Sequence, residues 1–279
     1  MPQDLTGKTV VITGASAGVG AAAARELAAR GADVVPVGRS ADKTRVVADE
    51  LGVQPLVADY ASLAQVRSLA DRLLERCPVI DVLAHNAGGV GPDRRVTEDG
   101  FELTLQSNYL APFLLQALLR ERLSASRAQV IVTSSMGHRF GRISLEDLNF
   151  SRRRFSPFLA YAAAKLADVL FVRELARRAP ETGISAVAFH PGAVGSSFGR
   201  DAGGAASLLY NTWLARYLLL SNEQGAAPLV HLATLDDPMS VNGRYFHRMR
   251  ADAPTSKQAR DPELARELWA TTEAMLELS

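Results

Sequence analysis

The stretch TGASAGVG, Thr13–Gly20, follows the apolar run VVI (Val10–Ile12) and leads straight into an alanine-rich helical pattern. Three glycines in eight residues at a strand-to-helix step admit two readings: a tight turn, or a loop whose bare backbone lets a phosphate approach. The first N–H groups of a helix have no partner inside it, and they sit at the positive end of its dipole, so an anion is welcome there. In a dinucleotide loop Gly14 permits the turn, Gly18 admits the pyrophosphate and Gly20 lets the helix pack closely on the strand. Ser16 and Val19 are counted with them as cofactor-binding positions. The spacing is G-x-x-x-G-x-G, not G-x-G-x-x-G, and no Gly-Lys-Ser/Thr follows, which excludes a Walker A loop.

Working outward, short β-branched runs alternate with longer helical patterns, as in a parallel sheet with crossover helices. Strands are expected at 8–13, 32–38, 54–58, 79–85, 128–134, 184–190 and 243–247. Their near-continuous apolar character fits strands covered on both faces. Helices are expected at 19–30, 62–76, 99–123, 157–179 and 222–235. A closing helix starts where Asp261 caps, Pro262 takes the first position and Glu263 meets the positive end. With no repeat and no linker-like stretch, residues 1–279 are read as a single α/β domain, a doubly wound Rossmann-type parallel sheet with helices on both faces.

The 279 residues suffice for a full core, and a net charge of +1 gives no electrostatic case for nucleic acid or an anionic membrane. The lone Cys77 cannot form an internal disulfide, which suits a reducing cytoplasm. It continues the helical series Leu63, Val66, Leu69 and Leu73, so it is read as core. No signal peptide and no uninterrupted apolar run of spanning length is visible, and the expectation is a soluble, cytoplasmic protein.

Two further features give the loop a chemistry. At the end of the second strand a carboxylate would favour the ribose hydroxyls of NAD, and an arginine the 2′-phosphate of NADP. The sequence there is VGRS, with Arg39 followed by Ser40, which predicts an NADP(H) preference with NAD(H) as the alternative. Farther on, YAAAK sets Tyr161 and Lys165 four apart, one turn of helix, on one face. A phenol near its usual pKa of about 10 is a poor proton-transfer group at neutral pH. A neighbouring ammonium favours the phenolate and corrects that.

These motifs, together with HNAG (His85–Gly88), QSNYLAPF with Asn108, VTSS ending at Ser135 and HPGAVGSS, resemble the short-chain dehydrogenase/reductase family over essentially the whole chain. The stretches SSMGHRFG, YAAAKLADVLFVRELARR, HPGAVGSS and NGRYF are similar more narrowly to the retinol-dehydrogenase-like branch. The resemblance implies an oxidoreductase moving hydride between NADP(H) and a carbonyl or alcohol. Within it, Tyr161 is the general acid or base, and Lys165 lowers its pKa and binds the nicotinamide ribose. Ser135 donates to the substrate oxygen, and Asn108 anchors a water relay. Asn86, Ala87 and Gly88 would lie under the adenosine ribose, Asp59 would meet the adenine, and Pro191, Gly192 and Ser196 would hold the nicotinamide end. Three positions depart from the family: His85 where many relatives have Asn, Ser196 where Thr is frequent, and Ala17 where several NADP users carry a basic residue.

The remaining polar residues read more plainly. His85, His138, His190, His231 and His247 lack metal-ligand spacing, and no metal site is expected. Ser134 competes with Ser135, since only one of two adjacent strand residues faces the site. The run SRRRF (151–155) is read as a solvated loop, and Asp236–Asp237 before Pro238 as a turn. Residues 201–220, within a substrate-covering segment of about 198–222, are read either as an apolar lid hinged at Gly203–Gly204 or as a fixed contact helix. The expected partner is an apolar small-molecule carbonyl or alcohol, with no nucleic acid and no membrane anchor. A homodimer or homotetramer through 99–123 and 157–179 is usual for the family. The reading from another class is a dinucleotide-binding sensor that turns nothing over.

Overall fold

The computed structural model describes residues 3–194 and 220–278. Seven strands form one sheet: β1 (Thr9–Thr13), β2 (Asp33–Gly38), β3 (Leu56–Val57), β4 (Val82–His85), β5 (Gln129–Thr133), β6 (Ser185–His190) and β7 (Tyr245–His247). They run in the order β3-β2-β1-β4-β5-β6-β7, and every pair is parallel. All seven expected strands are present, each within a few residues of its expected bounds.

Pleating explains why continuous apolar runs serve here. Along β1, Val11 joins one core, while Val10 and Ile12 join the other. In β5, Val130 and Val132 face the first and Ile131 the second. The second core is closed by α1 (Gly18–Ala29), by Val47 of α2 (Ala41–Leu51), and by α7 (Asn222–Ala233). The first is closed by α3 (Leu63–Arg76), α4 (Ala111–Leu118), α6 (Pro157–Arg177) and α8 (Pro262–Met275). Leu63, Val66, Leu69, Leu73 and Cys77 are all buried in it, as their spacing implies. Asp261 caps α8 by accepting from Glu263 N at 3.0 Å and Leu264 N at 3.2 Å.

The helix expected over 99–123 is not continuous. The Glu102 carboxylate accepts from Thr104 N and Leu105 N, so helical structure begins only at Leu103. Residues Gln106–Leu110 then form a π-turn, in which Ala111 N–H bonds to the Gln106 carbonyl five residues back. Pro112 supplies the reason: it has no N–H to return to the Asn108 carbonyl, so the four-residue ladder is interrupted there. After Leu118 a separate helix, α5 (Arg120–Ala125), completes the segment.

Chain order reverses between β1 and β4, and the strand ends on either side of that break hold the residues described next.

Candidate active site

The loop after β1 is shaped by what cannot fit in it. Gly14 has φ +68°, and a Cβ there would lie 2.8 Å from Ala87 Cα. A Cβ on Gly20 would lie 2.3 Å from the Gly14 carbonyl oxygen, and one on Gly38 would lie 2.9 Å from Ser16 Cβ. Helix α1 starts at Gly18 with no side-chain cap and no acidic residue in its first turn, so its leading N–H groups are left for something else. The fit to a dinucleotide pyrophosphate rests on that cradle and that uncapped helix end. Beside it opens a cleft of about 220 Å³, with Ser16, Ala17 and Gly18 on one wall and Lys43 on another.

Asn86 braces the loop from β4. Its Nδ2 donates to the Thr13 carbonyl at 3.2 Å and its Oδ1 accepts from Thr133 Oγ1 at 3.2 Å. Thr13 Oγ1 in turn accepts from Asn86 N and Ala87 N at 3.0 and 3.1 Å. At the end of β2, Arg39 is exposed, and Ser40 caps α2 by accepting from Lys43 N. Asp59, after β3, accepts from Ala61 N at 2.9 Å and so shapes its own turn.

Around β5 and α6 the site is made of side chains. Tyr161 and Lys165 lie one turn apart on α6, with the ammonium 5.8 Å from the centre of the Tyr161 ring. Gly137 lies against both hydroxyl-bearing residues. A Cβ on it would stand 3.3 Å from Ser135 Oγ and 3.6 Å from Tyr161 Cε1. The two adjacent serines have different surroundings. Ser134 is buried and its Oγ donates to the Lys165 carbonyl at 2.9 Å, whereas Ser135 is half-buried and its Oγ accepts from Gly137 N at 3.0 Å.

Asn108 lies in the π-turn, and its Nδ2 donates to Gly89 O and Thr104 O, each at 2.8 Å. Gly88 lies between it and the lysine: a Cβ there would fall 2.5 Å from Asn108 Oδ1 and 3.5 Å from Lys165 Nζ. Lys165 Nζ donates to the Thr133 carbonyl at 3.0 Å and to Asp168 Oδ2 at 2.9 Å. Burial pulls the Lys165 pKa down, but the charge of Asp168, the Tyr161 hydroxyl and the Asp168 hydrogen bond outweigh it, and the net direction is up. Burial pushes the Asp168 carboxyl up to about 6 against the pull of Lys165.

Sequence reasoning missed Asp168, Thr13, Thr133 and Gly137. An acidic residue one turn past a helical lysine looks like a surface ion pair, and only the fold reveals that this one is buried. Pro191 and Gly192 follow β6, and Gly192 (φ +100°) packs against Leu220. Beyond them Val194 bridges to Leu220 in parallel register. Ser196, Gly203–Gly204 and the remainder of 195–219 lie outside the described residues.

The histidines of the β4–β6 region are interior groups. His85 and His138 are buried, and burial lowers both, His85 to about 3. His190 is lowered to about 4, first by burial and then by the neighbouring His247 and His138. No group of three or more potential metal ligands occurs among the described residues. None of the described helices is long and apolar enough to cross a membrane. Asp237 caps the turn at Pro238, as its sequence suggests. The run 151–155 is more than a solvated loop. The Asp147 carboxylate accepts from Ser151 N and Arg153 N, and the Arg153 guanidinium lies 3.6 Å from the centre of the Phe150 ring.

Comparison with known proteins gives the class. The family model for short chain dehydrogenases matches residues 8–203. The chain belongs to the short-chain dehydrogenase/reductase family and, within it, is retinol-dehydrogenase-like. It is 42% identical over 276 residues to the "Putative daunorubicin C-13 ketoreductase DnrU" of Streptomyces sp. (strain C5), covering 97% of this chain and 93% of that one. It is 36% identical over 285 residues to human retinol dehydrogenase 13, covering 98% and 86%. Among solved structures, a Mycobacterium paratuberculosis protein has TM-score 0.79 and 34% identity over 99% of this chain and 95% of that one. A short chain dehydrogenase from Burkholderia cenocepacia in complex with NADP has TM-score 0.68 and 25% identity over 92% and 99%.

Proposed function

We propose that this oxidoreductase moves hydride between NADP(H) and an apolar aldehyde, ketone or alcohol, with Tyr161, Lys165, Ser135 and Asn108 as its working side chains. The observation that carries the reading is the approach of Ser135 and Tyr161 to one point beside Gly137, with the Lys165 ammonium held 5.8 Å from the phenol ring. A bound nicotinamide would supply or take up the hydride at the carbonyl carbon. As negative charge grows on the substrate oxygen, the Ser135 and Tyr161 hydroxyls stabilise it, and Tyr161 gives up its proton. In the reverse direction Tyr161 accepts that proton. Lys165 lowers the phenol pKa by its charge, and its third N–H is left for the cofactor ribose after Thr133 and Asp168 have taken two. Asn108 holds the loop at Gly89 from inside the π-turn and anchors the water through which the lysine is reprotonated.

The preference for the phosphorylated cofactor rests on Arg39, exposed at the end of β2, with Lys43 in the first turn of α2 lining the cleft. The NADP in the Burkholderia relative agrees with it. Substrate class follows the relatives' names, one a ketoreductase and the other a retinol dehydrogenase, which both imply chemistry at a carbonyl or alcohol carbon. The test is oxidation of NADPH and NADH against a panel of aromatic, aliphatic and isoprenoid aldehydes and ketones, with Tyr161→Phe in parallel. NADPH-dependent turnover that disappears in the variant is the expected result. Turnover that survives it at the wild-type rate removes Tyr161 from the mechanism.

A further inference from the structure

Tyr161, Lys165 and Asp168 occupy successive turns of α6 and share a face. The carboxylate is only 1% exposed, yet it lies 2.9 Å from the lysine that the proposed chemistry depends on. Placement like this is costly. Two charges have been taken out of water, and removing one partner would strand the other. It is also electrically consequential. A bare ammonium beside a phenol draws its proton off readily; an ammonium already paired with a carboxylate does so much less.

We propose that Asp168 is a positioning residue for the Lys165–Tyr161 pair, fixing the ammonium by its hydrogen bond and offsetting its charge, and thereby setting the pH at which the pair releases its first proton. This rests on the reading of Tyr161 and Lys165 as the proton-transfer pair. The titratable group facing Asp168 from another element is Tyr109 of the π-turn, whose phenol is pushed up by burial first and by the charges of Asp168 and of Glu273 on α8. Tyr161 is faced in addition by Tyr245 of β7, also pushed up, mainly by burial. Above pH 6 or so Asp168 is charged, so its influence is in force across the range where phenols titrate.

The direction is fixed by charge. With the carboxylate removed, the Lys165–Tyr161 pair carries an uncompensated positive charge, and its first proton leaves at lower pH, whichever of the two groups it is taken from. The experiment is an ultraviolet titration of phenolate absorbance on the folded protein between pH 7 and 10.5. Tyr161→Phe identifies the contribution of Tyr161 against the other tyrosines, so no substrate is needed. In Asp168→Asn the transition is expected about one pH unit lower than in wild type. In Asp168→Glu, which keeps the charge, it stays within about 0.3 unit. Asp168→Ser, smaller and neutral, serves if the asparagine variant does not fold, and should shift the same way. A neutral variant whose curve superimposes on wild type overturns the proposal, because a purely structural role would alter melting temperature and leave the transition in place. Failure here is distinct from failure of the functional reading, which turns on loss of activity in Tyr161→Phe.

Discussion

The two halves of the site are built by opposite means. On the side of β1 and β2 the working parts are backbone, and the sequence contributes mainly by leaving side chains out: Gly14, Gly20 and Gly38 each stand where a Cβ would collide. On the side of β5 and α6 the working parts are side chains, held by buried hydrogen bonds and one ion pair. The first half should therefore break when a carbon is added, and the second when an oxygen or a charge is taken away.

The largest effect is expected from the second half. Tyr161→Phe deletes one oxygen and leaves the ring, and turnover should fall by about 10³-fold or more with the NADPH dissociation constant nearly unchanged, read by steady-state kinetics and cofactor fluorescence. A parallel rise in that constant would mean that the phenol binds cofactor rather than moving a proton. In the first half, Gly20→Ala adds one carbon 2.3 Å from the Gly14 carbonyl oxygen. It should weaken NADPH by about 100-fold or lower the melting temperature by several degrees. An alanine variant with wild-type binding and stability would show that the loop yields, and the contrast between the halves would fail.

Arg39→Ala sharpens the comparison, because it tests a side chain within the backbone half. NADPH should weaken by about 30–100-fold with NADH unaffected, as expected for loss of a charged hydrogen bond of about 2–3 kcal/mol. Equal losses for both cofactors would assign Arg39 to stability. The smallest effect concerns His85, at the junction of the halves. Its folded pKa is near 3 and its unfolded value 6.5, so the unfolded chain takes up a proton that the folded chain refuses. Stability contributed by this group is full above pH 6.5 and declines as pH falls toward 3. At pH 5 the loss is about 2 kcal/mol by linkage, and His85→Asn should make the pH dependence of chemical denaturation shallower by that amount.

How much of this was legible in the sequence divides along the same line. Glycines at 14, 18 and 20 could be read because few other demands place them between an apolar strand and an alanine-rich helix. Short, near-continuous apolar runs carried the seven strands, since both faces of each are covered. The Tyr161–Lys165 spacing was equally plain, being fixed by one turn of helix. What could not be read depends on contacts between distant segments. Asp168 looks like half of an ordinary surface pair until the fold buries it beside Tyr109. Thr13 and Thr133 look like strand ends with β-branched side chains, and only the β1-β4-β5 order brings them to opposite ends of one asparagine. The π-turn at 106–110 escaped because the apolar periodicity of 99–123 was read as one helix with Pro112 in its interior, and a proline there does not announce whether the helix kinks, ends or widens by one residue.

That asparagine brace reaches beyond the site. Asn86 N and Ala87 N belong to a connecting segment after β4, where amides ordinarily trade their hydrogens with solvent within seconds to minutes. Here both are tied to Thr13 Oγ1, on a neighbouring strand in the middle of the sheet. Releasing them requires β1 and β4 to part. In heavy water these two loop amides should keep their protons as long as the central strands do, marking the strand junction as part of the last unit of the molecule to open.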